Sequence, residues 1–384
     1  MNSLMLMLHA GGRFLDDMQS LRLDKALRYL LGLKHVPAPV TIGQWLRRLG
    51  QDESNAIEAV NQRLNQVALH RCRAVTLDID ATFMRSWHST AQWSYLKAKG
   101  YMPMTGFIAQ TDSLIACEFR PGNVAPATDN LNFLQQCEAA LPKDVRLAYF
   151  RCDAAGYQVA IVEHCIAQGI GFAIRAKLTA NLRDQIAKVS TWSPLIDREG
   201  EEIEDASTCR FVHLMKQSAH AFTLVVQRQL KQSTPSSEEA VVVSDEESFE
   251  ADGYVYRAIA TNRDALSDSE LIHWYNQRAE ACENRIKELK RDFGGDQMPC
   301  QYTAANAAYF GLCGLAYNLF VLLRSVLPAH LERVRAKRVR LCLYAVAAKV
   351  VSHGRRVSLK VQRQHHALLS HVLSRIRCLA TLIS

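Results

Sequence analysis

The spacing of apolar residues changes period along this chain, and each change predicts a different element. From residue 15 to about 69 the apolar positions recur every three or four residues, as in Leu23, Leu27, Leu30 and Leu31. That spacing stacks side chains on one face of a helix. A Pro-bearing break at 36–40 divides this region, and Thr41 is placed to cap a second helix, IGQWLRRLG. At Arg73 the period drops to two. AVTLDIDATFM alternates apolar and polar residues over the length of a strand, which puts Asp78 and Asp80 on the same face. Two further strands, 106–110 and 113–119, joined at Thr111-Asp112, predict a hairpin. A helix at 128–141 capped by Thr128, a strand at 146–153, a helix at 158–168 and a strand at 171–177 follow.

Beyond residue 177 the strand signals become short and irregular, and 233–253 is acidic and Ser-rich, which predicts an inserted, loop-rich β subdomain with a mobile surface loop. Strand character resumes at 254–262. A long helix over 269–294 then starts at a Ser267 or Ser269 cap, carries Glu270 in its first turn and stops at Gly294-Gly295. Residues 307–323 are almost wholly apolar, but the stretch is short for a membrane span and contains Asn318, so it is read as a buried core helix. Three antiparallel strands followed by helix, strand, helix, strand is the order of a ribonuclease H-like α/β fold. The expected parts are a helical N-terminal region (1–70), the first half of the core (71–177), the β-rich insertion (178–253), the second half of the core with its long helix (254–325), and a C-terminal region (326–384).

Charge sharpens the last of these. Lys and Arg outnumber Asp and Glu by 46 to 38 over the 384 residues, and the excess is uneven. From Arg324 onward there are thirteen Lys and Arg against a single acid, Glu332, a cationic surface that calls for an anionic partner. The eleven cysteines are odd in number and contain no C-x-x-C pair, so neither a zinc site nor a disulfide framework is expected. They read as reduced, mostly buried thiols of a cytoplasmic protein. The start, MNSLMLMLHAGG, lacks the basic n-region and apolar length of an export signal.

Three acids carry the candidate chemistry. Asp80 closes the first strand and Asp153 ends the fourth, and in the expected topology those strands lie side by side with their ends together. Glu283 sits in the middle of the long helix, and Lys290 follows seven residues on. Magnesium takes a few carboxylates plus water and substrate oxygens, and two such ions in one site activate a phosphodiester for in-line cleavage. Each acid alone has a bland reading: a strand-end Asp is usually a turn or cap residue, and E-N-R-I-K-E-L-K is usually a solvated helix face laced with i,i+4 pairs. Their joint placement carries the functional reading.

Several motifs in one order give the chain a family likeness: LDIDATF around Asp80, GYMPMTGFIA from Gly100, RPGN from Arg120, FRCDAAGY around Asp153, and WYNQRAEACENRIKELKRDFG from Trp274. With these the chain resembles the DDE-type insertion-sequence transposases whose catalytic helix carries a Tyr, Arg, Glu, Lys signature. The resemblance runs from about residue 11 to the C-terminus. It implies a ribonuclease H-like core with a β-rich insertion before the last acid, and Mg²⁺ or Mn²⁺, two ions, held by Asp80, Asp153 and Glu283. It also implies cut-and-paste movement of an insertion sequence by phosphodiester hydrolysis and strand transfer. An Asp followed by x-Thr selects Asp80 over Asp78, and Tyr275, Arg278 and Lys290 match the remaining signature residues as contacts to DNA phosphate. The pattern departs in one place. The family leaves three residues between the arginine and the glutamate, whereas four separate Arg278 from Glu283. Residues five apart on a regular helix point about 140° from one another, so either a local bulge restores the face or Arg278 is displaced, and Glu280 becomes a minor rival for the acid. Family members also commonly carry more residues ahead of the stretch at 11–17, so an earlier start or a shortened end-binding region is expected.

The partner this implies is double-stranded DNA, both terminal inverted repeats and target, held by a dimer in a nucleoid-associated, cytoplasmic setting with no membrane role. Arg333, Arg335, Lys337, Arg338 and Arg340, then Arg355, Arg356 and Lys360, are placed to track a phosphate backbone. Arg47 and Arg48 offer the same in the N-terminal helices. Trp87, Trp93 and Tyr95 fit either stacking on a displaced base or packing in the core, the commoner use. A second functional reading is a truncated or impaired copy that only binds DNA. A two-carboxylate glycosidase lacks the aromatic platforms and barrel periodicity it would need.

Overall fold

The structure, a computed structural model, describes residues 1–49, 51–231, 247–353 and 356–381. The acidic loop expected at 233–253 lies outside the described residues up to 246, as does Arg355. Nine strands build the central sheet: β1 (Ala74–Ala81), β2 (Met104–Ile108), β3 (Leu114–Glu118), β4 (Arg146–Cys152), β5 (Gly171–Arg175), β6 (Ser193–Ile196), β7 (Glu202–His213), β8 (Phe222–Leu230) and β9 (Tyr254–Thr261). Their order across the sheet is β3-β2-β1-β4-β5-β9-β8-β7-β6, and the short strand Phe249–Ala251 adds to β9. β1, β4 and β5 run parallel and the other pairs are antiparallel.

The first five strands follow the expected order. The stretch expected as a β-rich insertion carries strands, and they extend the central sheet, because β9 pairs with both β5 and β8. The β8 sequence FTLVVQRQL explains this. Leu224 and Val226 join the core on one face of the sheet and Val225 joins a second cluster on the other, so the strand is buried on both sides and its sequence loses the simple in-out alternation.

Alternation does hold in β1, where it matters most. Val75, Leu77 and Ile79 pack into the cluster under α4 (Asn130–Ala139) and α5 (Val159–Ala167) with Phe133, Leu134 and Ile161. Thr76, Asp78 and Asp80 therefore take the opposite face, which is covered by α7 (Asp268–Asp292) and flanked by α8 (Thr303–Arg324). Ahead of β1 lie α1 (Asn2–Ala10), α2 (Pro39–Leu46) and α3 (Gln51–Ala68). α2 starts earlier than the expected Thr41 cap, with Pro39 in its first turn, where a fixed φ and a missing N–H cost nothing. Between α5 and β6 runs α6 (Ala180–Ala187), and after α8 come α9 (Ala336–Leu343), the hairpin of Ala348–His353 with Arg356–Val361, and α10 (Arg363–Ala380).

Among the described residues α8 is the helix long and apolar enough to cross a membrane, and 83% of its most apolar stretch is buried within the fold. Of its two buried asparagines, Asn306 bonds to the Cys300 backbone and Asn318 has a task at the sheet edge. The Asn318 side chain accepts from the Leu114 N–H at 2.8 Å and donates to the Leu114 carbonyl at 2.7 Å, while Asn65 donates to the same carbonyl at 3.1 Å. Side chains thus satisfy the backbone at the outer edge of β3. A small three-stranded sheet, Met84–Arg85, Gln92–Trp93 and Lys99–Tyr101, follows β1 directly. It locks onto the RPGN turn: the Gly122 N–H donates to the Gly100 carbonyl at 3.0 Å, and a Cβ on Gly122 would sit 2.4 Å from that oxygen, a close approach that only glycine allows.

Candidate active site

Strand register brings the first two acids together. In the parallel β1–β4 pair Asp78 is matched with Arg151, and Asp80 and Asp153 each lie two residues further along, on the same face and at the same end of the sheet. Asp153 is also the cap of the short turn 154–156, accepting from the Ala155 N–H at 3.1 Å, and this fixes its carboxylate. Asp78, the rival at the sequence level, is fully buried and engaged elsewhere. Its Oδ1 accepts from Arg151 Nε at 2.7 Å and its Oδ2 from Arg151 at 2.9 Å and Arg285 at 2.9 Å. Arg285 also reaches Asp112 at 2.6 Å. One carboxylate therefore ties β1 to β4 and to α7. Sequence reasoning missed this cluster, since a lone Arg in EACENRIKELK looks solvated and Asp78 stands on the polar phase of its strand, where an acid is expected.

Asp80 lies in a recess with 25% of its side-chain surface open. Burial pushes its carboxyl up to about 7, the Asp153 charge adds to the rise, and Arg278, 3.5 Å away, opposes it. Two carboxylates sharing one poorly solvated recess with a single guanidinium carry surplus negative charge, the condition that favours a bound cation. The donor set, oxygens at two strand ends with solvent access, suits a hard divalent ion that keeps part of its water shell.

α7 forms because Ser267 and Glu270 cap it reciprocally, Ser267 N–H to Glu270 at 2.9 Å and Glu270 N–H to Ser267 Oγ at 3.3 Å. It runs as unbroken α-helix to Asp292, with no bulge between Arg278 and Glu283, and Arg278 is not displaced. Its guanidinium is buried, donating to the Ile79 carbonyl at 2.7 Å beside Asp80. The helix phase separates two neighbouring residues. Cys282 is fully buried against the acid face, where the nearby charges of Asp78 and Asp80 act on its thiol and burial pushes it up to about 12. Glu283, one residue and 100° further round, is exposed. Asp80 and Asp153 are brought together; Glu283 is not brought to them, and Glu280 is likewise exposed. Among the described residues no group of three His, Cys, Asp or Glu gathers to hold a metal ion.

The signature residues expected on phosphate lie behind the acids. The Tyr275 hydroxyl donates to the Cys152 carbonyl at 3.2 Å, under the Arg175 guanidinium at 4.8 Å. Lys290 is half-buried, its Nζ donating to Thr82 Oγ1 at 3.1 Å and the Phe83 carbonyl at 2.9 Å, just past the end of β1. These groups position the acid-bearing segments. Of the basic tail, Arg333, Lys337, Arg338 and Lys360 are exposed. Arg335 pairs with Asp292 at 3.1 Å. Arg340 is spent on structure, donating to the His9 and Asp292 carbonyls at 2.9 and 2.7 Å and stacking on Phe293. Of Arg356 the backbone alone is described. Arg47 and Arg48 are both exposed. The core-packing use of the aromatics is corrected: Trp87, Trp93 and Tyr95 are 79%, 66% and 65% exposed on the small sheet that follows β1. Tyr95 feels the charges of Asp153 and Asp80, so this apolar surface borders the acids.

An acid pair at the ends of adjacent parallel strands, backed by a helix of buried cations, defines an α/β protein built around a carboxylate site. The chain matches the family described as Transposase DDE domain group 1 over residues 1–381 and belongs to it, which makes it a transposase, an enzyme that acts on DNA. No curated protein matches it. Among solved structures it is similar to a piggyBac transposase, seen by cryo-electron microscopy as a synaptic complex with hairpin DNA. That likeness has 13% identity, covers 99% of this chain and 73% of the other, and has a TM-score of 0.43; a resemblance so distant decides nothing about the site.

Proposed function

We propose that this chain performs cut-and-paste transposition of an insertion sequence, cleaving and rejoining DNA at terminal inverted repeats on a ribonuclease H-like core. The observation that carries the reading is the convergence of Asp80 and Asp153 at the ends of β1 and β4. The run of β3-β2-β1-β4-β5, with its parallel β1, β4 and β5, supports the core assignment. Asp80 and Asp153 would hold Mg²⁺ or Mn²⁺, which when bound supplies Lewis acidity at the phosphate. Arg278 steadies Asp80, and Tyr275 and Lys290 fix the strand ends that carry the acids. The exposed Arg333, Lys337, Arg338 and Lys360 are suited to the phosphate backbone, and the bared aromatics beside the acids to an unpaired base. Joining two DNA ends calls for two copies of the chain.

The test is cleavage of duplexes bearing the element's own ends, with Mg²⁺ or Mn²⁺. Loss of nicking is expected in Asp153→Ala, and full activity in that variant rejects the assignment. A second reading, a copy that binds DNA without cutting it, is favoured by one observation, the outward position of Glu283. Salt-sensitive binding with no nicking under either metal would select it.

A further inference from the structure

The hairpin of Ala348–His353 with Arg356–Val361 is a sheet of its own, paired with no other strand among the described residues. Two strands alone are marginally stable in water, and this pair stands largely clear of the body. Of its described side chains Val350, Val351 and Val361 are half-buried and the rest are exposed. Register sorts them by face. Lys349 lies directly opposite Lys360 and Val351 opposite Ser358, with His353 on the same side, while Val350, Val357 and Leu359 take the other.

Like charges directly opposed across two strands work against the hairpin. The chain supplies nothing to relieve them. No Asp or Glu follows Glu332 in the sequence, and among the described residues neither lysine enters an ion pair. A second copy meeting this face with its own would add to the repulsion, whereas a polyanion removes it. Dimensions then choose the surface. Two strand widths of about 4.8 Å each fill the major groove of B-form DNA, about 12 Å wide, and are too broad for the minor groove at about 6 Å. Each strand has six residues, a run of about 20 Å, or about six base pairs at about 3.4 Å each. We propose that this ribbon enters the major groove of the duplex on which the enzyme acts, with its Lys349 and Lys360 face turned to the base edges, where guanine offers N7 and O6 to lysine. The proposal rests on the reading of duplex DNA as the partner and adds to it an element, a face and a groove.

Dimethyl sulfate probing of guanine N7 tests it, on a duplex bearing the element's own end, with the full chain and no divalent metal so that no strand is cut. The unaltered chain is expected to protect guanines over a patch of about six base pairs. Lys349→Gln with Lys360→Gln should leave that patch reactive, keep other protected guanines protected, and weaken binding at least about fivefold. A double variant that keeps every protection, or an unaltered chain that protects no such patch, overturns the proposal; if the double variant keeps its protection and changes the mass of the free chain, the ribbon joins two copies instead. Replacing the guanines of the patch by 7-deazaguanine removes the acceptor and leaves the protein untouched, so it decides even if the double variant does not fold. Weaker binding of the unaltered chain is expected, and unchanged affinity refutes the groove contact. Nicking by the unaltered chain with Mg²⁺ or Mn²⁺ reports separately on the transposition reading, which stands or falls whatever the ribbon does.

Discussion

Asp78 and Asp80 are two residues apart on one face of one strand, yet replacing each by Asn is expected to move stability in opposite directions. Asp78 is fully buried and is the shared acceptor of Arg151 and Arg285, whose side chains are 3% and 6% exposed. Removing one partner of such a buried network leaves uncompensated guanidinium charge, a loss of about 3–5 kcal/mol. Arg285 keeps Asp112 and Arg151 keeps the Trp274 carbonyl, which places the expected loss toward the lower end. Asp80 is the reverse case. Its carboxyl is raised from 3.8 to about 7, so ionising it in the fold costs stability. The cost is absent below the unfolded value, grows as pH rises through the window between the two, and is complete above about 7. Three pH units correspond to about 4 kcal/mol, a ceiling that already contains the Arg278 attraction. Asp80→Asn should therefore be more stable than the unaltered chain at pH 8, with more than half of the gain gone at pH 5. Urea unfolding of both variants at the two pH values measures this. An Asp80→Asn less stable than the parent at pH 8, or an Asp78→Asn within about 1 kcal/mol of it, would refute this division of labour.

Metal binding should show the matching pH dependence. Because Asp80 must lose its proton, Mn²⁺ affinity is expected to rise up to about tenfold per pH unit below 7 and to level off above it; calorimetric titrations across pH 5–8 check this, and a flat profile contradicts it. Lys290→Met removes the two hydrogen bonds that hold the segment just past β1, so a stability loss of about 1–3 kcal/mol is expected together with reduced DNA nicking. Trp87→Ala with Trp93→Ala should leave stability within about 0.5 kcal/mol. The same pair should weaken binding to duplexes with unpaired bases beside a nick by about 1–3 kcal/mol per base stacked, and equal affinity of parent and variant would remove these rings from the DNA surface. Replacing Arg333, Lys337 and Arg338 by Ala should lower the slope of log affinity against log salt by about one for each phosphate left unneutralised; an unchanged slope would take these three cations off the DNA path.

Much of the site was legible because strand ends obey a period of two. The alternation in AVTLDIDATFM put Asp80 at the end of its strand, and the strand ending at Asp153 was equally clear. The start of α7 was legible from the Ser267 and Glu270 pair. Its rotation was not. RAEACENRIKELKRD has polar residues all round, and nothing in that string marks Arg278, Arg285, Glu288 and Asp292 as buried. They are buried because partners distant in sequence meet them: Asp78, Asp112, and Arg324, which pairs with Glu288. A spacing count alone left two alternatives for the Arg278 to Glu283 stretch, a bulge or a displaced arginine, and the helix adopts neither. The length of the strands in the insertion was hidden for a related reason. A strand buried on both faces has no polar side to announce it, so β8 looked irregular until its neighbours β7 and β9 were in place. The three exposed aromatics were misassigned because large rings usually pack inside.

The position of β9 sets an order of assembly. Residues 171–175 and 222–230 form the two sides of a slot that strand 254–261 fills with antiparallel pairing on both flanks. During synthesis the chain must therefore reach Thr261 before either flank is protected, and until then the growing polypeptide presents two unpartnered strand edges to other nascent chains. Sequestering those edges, by slow translation or by a chaperone, falls within the interval in which residues 176–261 leave the ribosome, and that interval is where an overproduced copy of this enzyme would be lost to aggregation.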